Sequence, residues 1–230
     1  MEDGGTSLFE FAKQAHEYIR QCQIDIAHWK QVVRIILEQM VEAIAYIHSL
    51  NIVHFDISLE NWLINEVKVD VVEVNGQTQK VSFVLDDIQV KLCDFGLAQK
   101  FTKHECISRK YCGKKGYKSP EILNNKKAFD AKANDIWCLG ICFFMLVTGG
   151  GPWEIAHPMD ANFVWVQTYS LFEMIKAWDI LHYTDMKTIN LFNGMLCVEN
   201  KRANILQIMQ YIRQQKQQQS KPLVLTLGRK

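Results

Sequence analysis

Between His28 and Leu50 apolar residues recur at Val33, Ile36, Leu37, Met40, Ile44 and Ile47, the three-to-four spacing of a helix with one buried face. After that helix the pattern changes. Trp62-Leu63-Ile64 and Val90 to Cys93 are short apolar runs that predict two buried strands. Between them an alternating stretch runs from Val67 to Val74 and returns through Val81, Phe83 and Leu85. Asn75-Gly76 sits at the reversal, and because both residues tolerate positive φ it predicts a hairpin. Beyond Glu121 the chain reads as helical over Lys132 to Thr148, Ser170 to Leu181, Thr188 to Leu196 and Asn204 to Gln214, with a break at Gly149-Gly150-Gly151-Pro152. The Gln-rich run from Gln214 to Gln219 lacks apolar periodicity and is expected to fray. There is no internal repeat.

Composition narrows the class. With 230 residues and 48% hydrophobic content the chain can bury a core as one large domain or two small ones. The longest apolar run, Ile136 to Val147, is shorter than the roughly 18 residues of a membrane span and is expected to be a core helix. A formal net charge of +1 gives no reason to expect nucleic acid or an anionic membrane as a partner. Seven cysteines without Cys-x-x-Cys or zinc spacing point to reduced thiols. Met1 to Gly5 has neither a basic flank nor an apolar stretch, so the expected location is the cytoplasm or nucleus.

Two segments carry the candidate chemistry: Val53-His54-Phe55-Asp56-Ile57-Ser58-Leu59-Glu60-Asn61 and Val90-Lys91-Leu92-Cys93-Asp94-Phe95-Gly96. A hydroxyl attacking the last phosphate of a nucleotide needs a carboxylate to accept its proton and divalent cations to neutralise the phosphate oxygens. Asp56 suits the base, and Asn61 and Asp94 offer the oxygen donors that Mg²⁺ prefers. The order His-x-Asp-x-x-x-x-Asn, Asp-Phe-Gly and Ser119-Pro120-Glu121 resembles that of eukaryotic protein kinases of the Ser/Thr type, over roughly Met1 to Gln214.

The resemblance implies a mainly α fold like the large, C-terminal lobe of a kinase, with a few short β-strands and an extended β-hairpin insertion. It implies a partial kinase domain over 1–214 and a disordered Gln-rich tail over 215–230. ATP and Mg²⁺ become the expected cofactors and a protein the expected substrate. Asp56 becomes the catalytic base, and Asn61 and Asp94 the metal ligands. Leu63 would support the adenine, Cys93 would border the pocket, and Glu2, Asp3 and Ser7 would lie in a hinge-like start that offers it backbone groups. His54 and Phe95 would stack, Asp135 would accept amide hydrogens from the Asp56 loop, and Glu121 would pair with Arg202. Ser/Thr rather than Tyr specificity is implied, because the loop lacks an Ala-Ala-Arg-like signature.

The departures from the family are informative too. Phe55 stands where many regulated kinases have an Arg that grips a phosphate on the activation segment, so activity is expected not to need phosphorylation at Thr102, Ser108 or Tyr111 by that route. Two residues after Asp56 the family's Lys is replaced by Ser58, while Lys114 stands where the family has a Thr. The hydroxyl and the ammonium look exchanged, with Lys114 supplying the catalytic cation from across the cleft or, alternatively, lying solvated beside a degraded site. The segment around it is basic, a solvated face or a weak attraction for acidic substrates. No Gly-rich loop, strand Lys or helix Glu of a small lobe precedes the hinge-like start. The isolated chain is therefore expected to bind ATP weakly and turn over slowly or not at all, a missing N-terminal lobe in a longer chain completing it. The alternative is a catalytically inactive kinase-like scaffold or binding module.

Overall fold

Ser7 stops one element and starts another. Its backbone closes strand β1 (Thr6–Ser7), and its hydroxyl accepts the Glu10 amide at 3.2 Å to cap helix α1 (Leu8–Arg20). The computed structural model describes residues 5–74, 78–101, 113–124 and 129–219. After α1 come α2 (Ile26–Ser49), β2 (Ile52–Val53), β3 (Trp62–Ile64), β4 (Val69–Val74), β5 (Thr78–Phe83), β6 (Val90–Leu92) and β7 (Gln99–Lys100). Then follow α3 (Pro120–Leu123), α4 (Ala131–Thr148), α5 (Ala161–Thr168), α6 (Leu171–Ala177), α7 (Met186–Met195) and α8 (Ile205–Gln219).

Helix α4 is the axis of the fold. By length and composition it could cross a membrane, but 78% of it is buried inside the protein, where α2 and α7 pack on it. Asp130 caps its start through the Lys132 and Ala133 amides, and Gly149, at φ 83°, ends it in the left-handed region. A Cβ on Gly149 would lie 2.8 Å from the His16 ring, so α1 approaches this end closely. His16 Nε2 and Trp29 Nε1 both meet the Leu146 carbonyl there, at 2.9 and 3.2 Å.

Three short strands form an antiparallel sheet in the order β1-β3-β6, pairing Ser7 with Leu63 and Leu63 with Lys91. Gly5 sets the approach of β1: a Cβ there would lie 2.0 Å from the Ile64 carbonyl oxygen. β2 pairs with β7, and β4 with β5. The hairpin is docked rather than free. Phe83, at the end of β5, is buried against Phe11, His28 and Trp29, while the Val81 and Phe83 amides donate to the Gln23 carbonyl and His28 Nε2, each at 2.8 Å. Val69 and Val71 on β4 stay exposed. Asn75 and Gly76, the expected turn, lie outside the described residues.

Three expectations change. Ser7, placed in the hinge-like start, is the N-cap of α1, whose Ser7-x-x-Glu10 sequence is a capping box. Helix α5 was not expected, because only Phe163 among its residues is buried and no apolar stripe marks it. Residues 215–219, assigned with the 215–230 tail, continue α8: Gln and Lys are good helix formers, and Lys216 reaches Glu38 on α2 at 2.9 Å.

Candidate active site

The loop after β2 is pinned from α4. Asp135, fully buried, accepts the His54 amide at 2.9 Å and the Phe55 amide at 3.0 Å, and lies 3.1 Å from His48 Nε2. These partners are what a buried carboxylate requires. They also stabilise an unusual backbone. Phe55 sits at φ 67°, a left-handed conformation that costs a bulky residue about 1–3 kcal/mol. Its ring is buried in a separate apolar cluster with Val53, Phe101, Ile122, Phe129 and Ala131, edge-on to Phe101 with centroids 5.9 Å apart.

Asp56 follows, and Asn61 returns to it. Both amide hydrogens of Asn61 are used on Asp56, one bond of 2.7 Å to its carbonyl and one of 2.9 Å to its carboxylate Oδ2. That leaves the Asn61 side-chain oxygen as its remaining ligand atom. The Asn61 backbone carbonyl accepts the Cys93 amide at 2.9 Å, which ties the loop to the end of β6 immediately before Asp94. Asp94 is exposed, at φ 58°, with Oδ1 accepting the Gly96 amide. His54 closes the arrangement: its Nε2 lies 3.0 Å from the Cys93 carbonyl and its ring stands edge-on to Phe95, centroids 4.9 Å apart.

Across from Asp56 a second network joins the loop to residues 113–117. Lys114 Nζ donates to Ser58 Oγ at 2.9 Å and lies 3.5 Å from Glu60 Oε2. The Tyr117 hydroxyl donates to the same Glu60 oxygen at 3.2 Å and accepts the Leu59 amide at 3.3 Å. Burial raises the Tyr117 pKa far above the ordinary phenol range, so it acts as a donor. Gly113, at φ 75°, lies over the Phe55 carbonyl, where a Cβ would be 3.4 Å away. Glu60, Tyr117 and His48 escaped the sequence reading; the first was legible only as a neighbour of Asn61, and the others carry no local signal.

The remaining expected residues divide. Leu63 is half-buried on β3 between Ser7 and Lys91. The Ser7 hydroxyl accepts the Glu10 amide in capping α1, which leaves its own O–H as a donor beside the backbone. Cys93 donates its thiol to the Asn61 carbonyl, and burial pushes its pKa up, which favours the protonated thiol. Glu2, Asp3, Thr102, Ser108 and Tyr111 lie outside the described residues. The Glu121 carboxylate and Arg202 guanidinium form a buried two-bond pair at 2.5 and 3.1 Å. Among the described residues no three His, Cys, Asp or Glu side chains gather to hold a metal. One carboxylate and one amide oxygen still suit Mg²⁺, which keeps waters and takes most of its protein-side charge from one or two carboxylates plus bound phosphates.

Comparison with known proteins identifies the family. The family model described as "Protein kinase domain" matches residues 5–212. The chain is 31% identical over 168 residues to the serine/threonine-protein kinase CHK1 of Saccharomyces cerevisiae, covering 71% of this chain and 26% of that protein. It is 30% identical over 175 residues to the DNA damage response protein kinase DUN1 of the same yeast, covering 74% and 32% respectively. It is 37% identical over 122 residues to the human SNF-related serine/threonine-protein kinase, covering 53% and 13%. The chain thus spans no more than about a third of the length of these relatives.

Proposed function

The chain belongs to the protein kinase family, and on that premise we propose that it transfers the γ-phosphate of ATP to a serine or threonine hydroxyl of a protein. The observation that carries this reading is the pair of Asn61 bonds that fix the Asp56 backbone and carboxylate on a loop pinned by Asp135. Asp56 is the residue for the acceptor proton: Asn61 orients Oδ2, and the second carboxylate oxygen is left to receive the hydroxyl. Asn61 and Asp94 would hold Mg²⁺, which when bound neutralises charge on the phosphate oxygens. Leu63 and Cys93, with the backbone at Ser7 and the preceding Glu2 and Asp3, would border the adenine. Lys114, held by Ser58, would give the phosphate a cation that the Asp56 loop, without Lys or Arg, does not contain.

Asp56→Asn keeps the shape of the side chain and removes its basicity. The expected result is loss of transfer to a protein substrate by about 10²–10⁴-fold with an unchanged melting temperature. Transfer at the wild-type rate would show that Asp56 does not take the acceptor proton, and absence of transfer by an otherwise complete wild-type kinase would make the chain a binding module. Lys114→Ala should slow transfer much more than Lys115→Ala, since Lys115 is exposed and meets only exposed Glu154 among its described contacts. Equal, small losses would leave Lys114 a solvated side chain.

A further inference from the structure

Resting on the transfer reading, we propose that Glu60 is an exchangeable counter-ion for Lys114. It holds the ammonium beside Ser58 while the site is empty, and yields it to the terminal phosphate of an entering nucleotide. Residues 53–61 contain no Lys or Arg, so a cation for a phosphate beside Asp56 has to come from another element. Lys114 is such a cation, brought onto Ser58, two residues past Asp56, by the segment that ends at Tyr117.

Its two contacts are unequal. The Ser58 hydroxyl, at 2.9 Å, fixes the position of Nζ but is neutral; Glu60, at 3.5 Å, supplies the charge without a close hydrogen bond. Both charged side chains are about two-fifths exposed, at 41% and 38%, and a pair this open to water is weak. A phosphate oxygen, which makes short charge-assisted bonds to an ammonium, outcompetes it. The carboxylate is not stranded by the exchange, because the buried Tyr117 hydroxyl still donates to Oε2 and is itself fixed by the Leu59 amide. Glu60 is therefore a positioning residue with an opposing effect. It preorganises Lys114, and its negative charge must lose that cation before a terminal phosphate can settle.

The test compares the magnesium complexes of ADP and of a non-hydrolysable ATP analogue, AMP-PNP, by calorimetric titration into the 230-residue chain. The ratio of their dissociation constants isolates the terminal phosphate from adenine binding. Glu60→Gln, which keeps an acceptor for Tyr117, should raise the preference for the triphosphate about two- to fivefold. Glu60→Asp, which draws the carboxylate back, should shift it in the same direction. Lys114→Ala should lower the preference roughly tenfold or more, and Lys115→Ala should leave it unchanged. The double variant Glu60→Gln/Lys114→Ala should match Lys114→Ala alone, since Glu60 acts only through the ammonium. An unchanged or reduced preference in Glu60→Gln, or a gain that survives in the double variant, would overturn the exchange and leave the transfer reading standing. Failure of the wild-type chain to bind either nucleotide, together with the same failure of a longer kinase that carries it, would overturn both.

Discussion

Phe55 places an aromatic ring where charge is usually managed, and that ring packs in an apolar cluster with Val53, Phe101, Ile122, Phe129 and Ala131. The expectation that the loop needs no added phosphate can be tested directly. Replacing Thr102, Ser108 and Tyr111 together by Ala should leave the rate of transfer within about twofold of wild type in an active kinase that carries this chain. A rate restored only by phosphorylation would refute that. His16 allows a second prediction. Burial against Trp29, Tyr183 and the end of α4 lowers its pKa from the ordinary value of 6.5, so the folded protein resists a proton that the unfolded chain accepts. Its contribution to stability is complete above that pH and is lost as pH falls through it. Between about pH 7.5 and 5 the melting temperature of wild type should drop further than that of His16→Phe. Arg202→Met would leave the buried Glu121 without its counter-ion, and urea denaturation should register a loss of about 3–5 kcal/mol. Asp135, Glu121 and Arg202 were legible through the resemblance to the kinase family, and Asp135 also because a carboxylate inside an apolar run demands partners. The link from Lys114 to Glu60 and Tyr117 was not, since nothing local in Lys114-Lys115-Gly116-Tyr117 distinguishes the lysine that turns inward from the one that faces solvent.

At the level of elements, periodicity revealed the helices that have a buried stripe and missed those that do not. The residues of α2 and α4 announced themselves; α5, with Phe163 alone buried, could not. Helix α1 was legible from the Ser7 cap and the run Leu8, Ala12, Ala15 and Ile19, but the resemblance of the preceding residues to a hinge strap drew the reading past it. The extended hairpin was visible from alternation, yet its docking through Phe83 onto the α1–α2 corner depends on tertiary packing that alternation cannot encode. Gly140 tests the packing of α4 against α7. A Cβ on it would lie 2.8 Å from Met195 Cβ and 2.9 Å from Leu196 Cδ2, so Gly140→Ala forces α4 and α7 apart. The expected cost is about 1–3 kcal/mol in chemical denaturation, against a gain in helix propensity below about 1 kcal/mol.

For the whole molecule, the proposed pair of Mg²⁺ ligands, Asn61 and Asp94, predicts that cation and nucleotide binding are interdependent. With one carboxylate and one amide from the protein, Mg²⁺ alone should not raise the melting temperature at millimolar concentration, whereas Mg²⁺ with ADP should raise it more than ADP alone. A shift with Mg²⁺ alone would mean a fuller protein site. The architecture also has a consequence in time. The amides of His54 and Phe55 are held by a carboxylate 81 and 80 residues further along the chain. At a synthesis rate of about 5–20 residues per second, roughly 4–16 s pass between the making of the loop and the making of its anchor. During that interval the segment from His54 to Asn61 has no Asp135 to hold its strained backbone, so a nascent chain exposes the motif before it can possess the site.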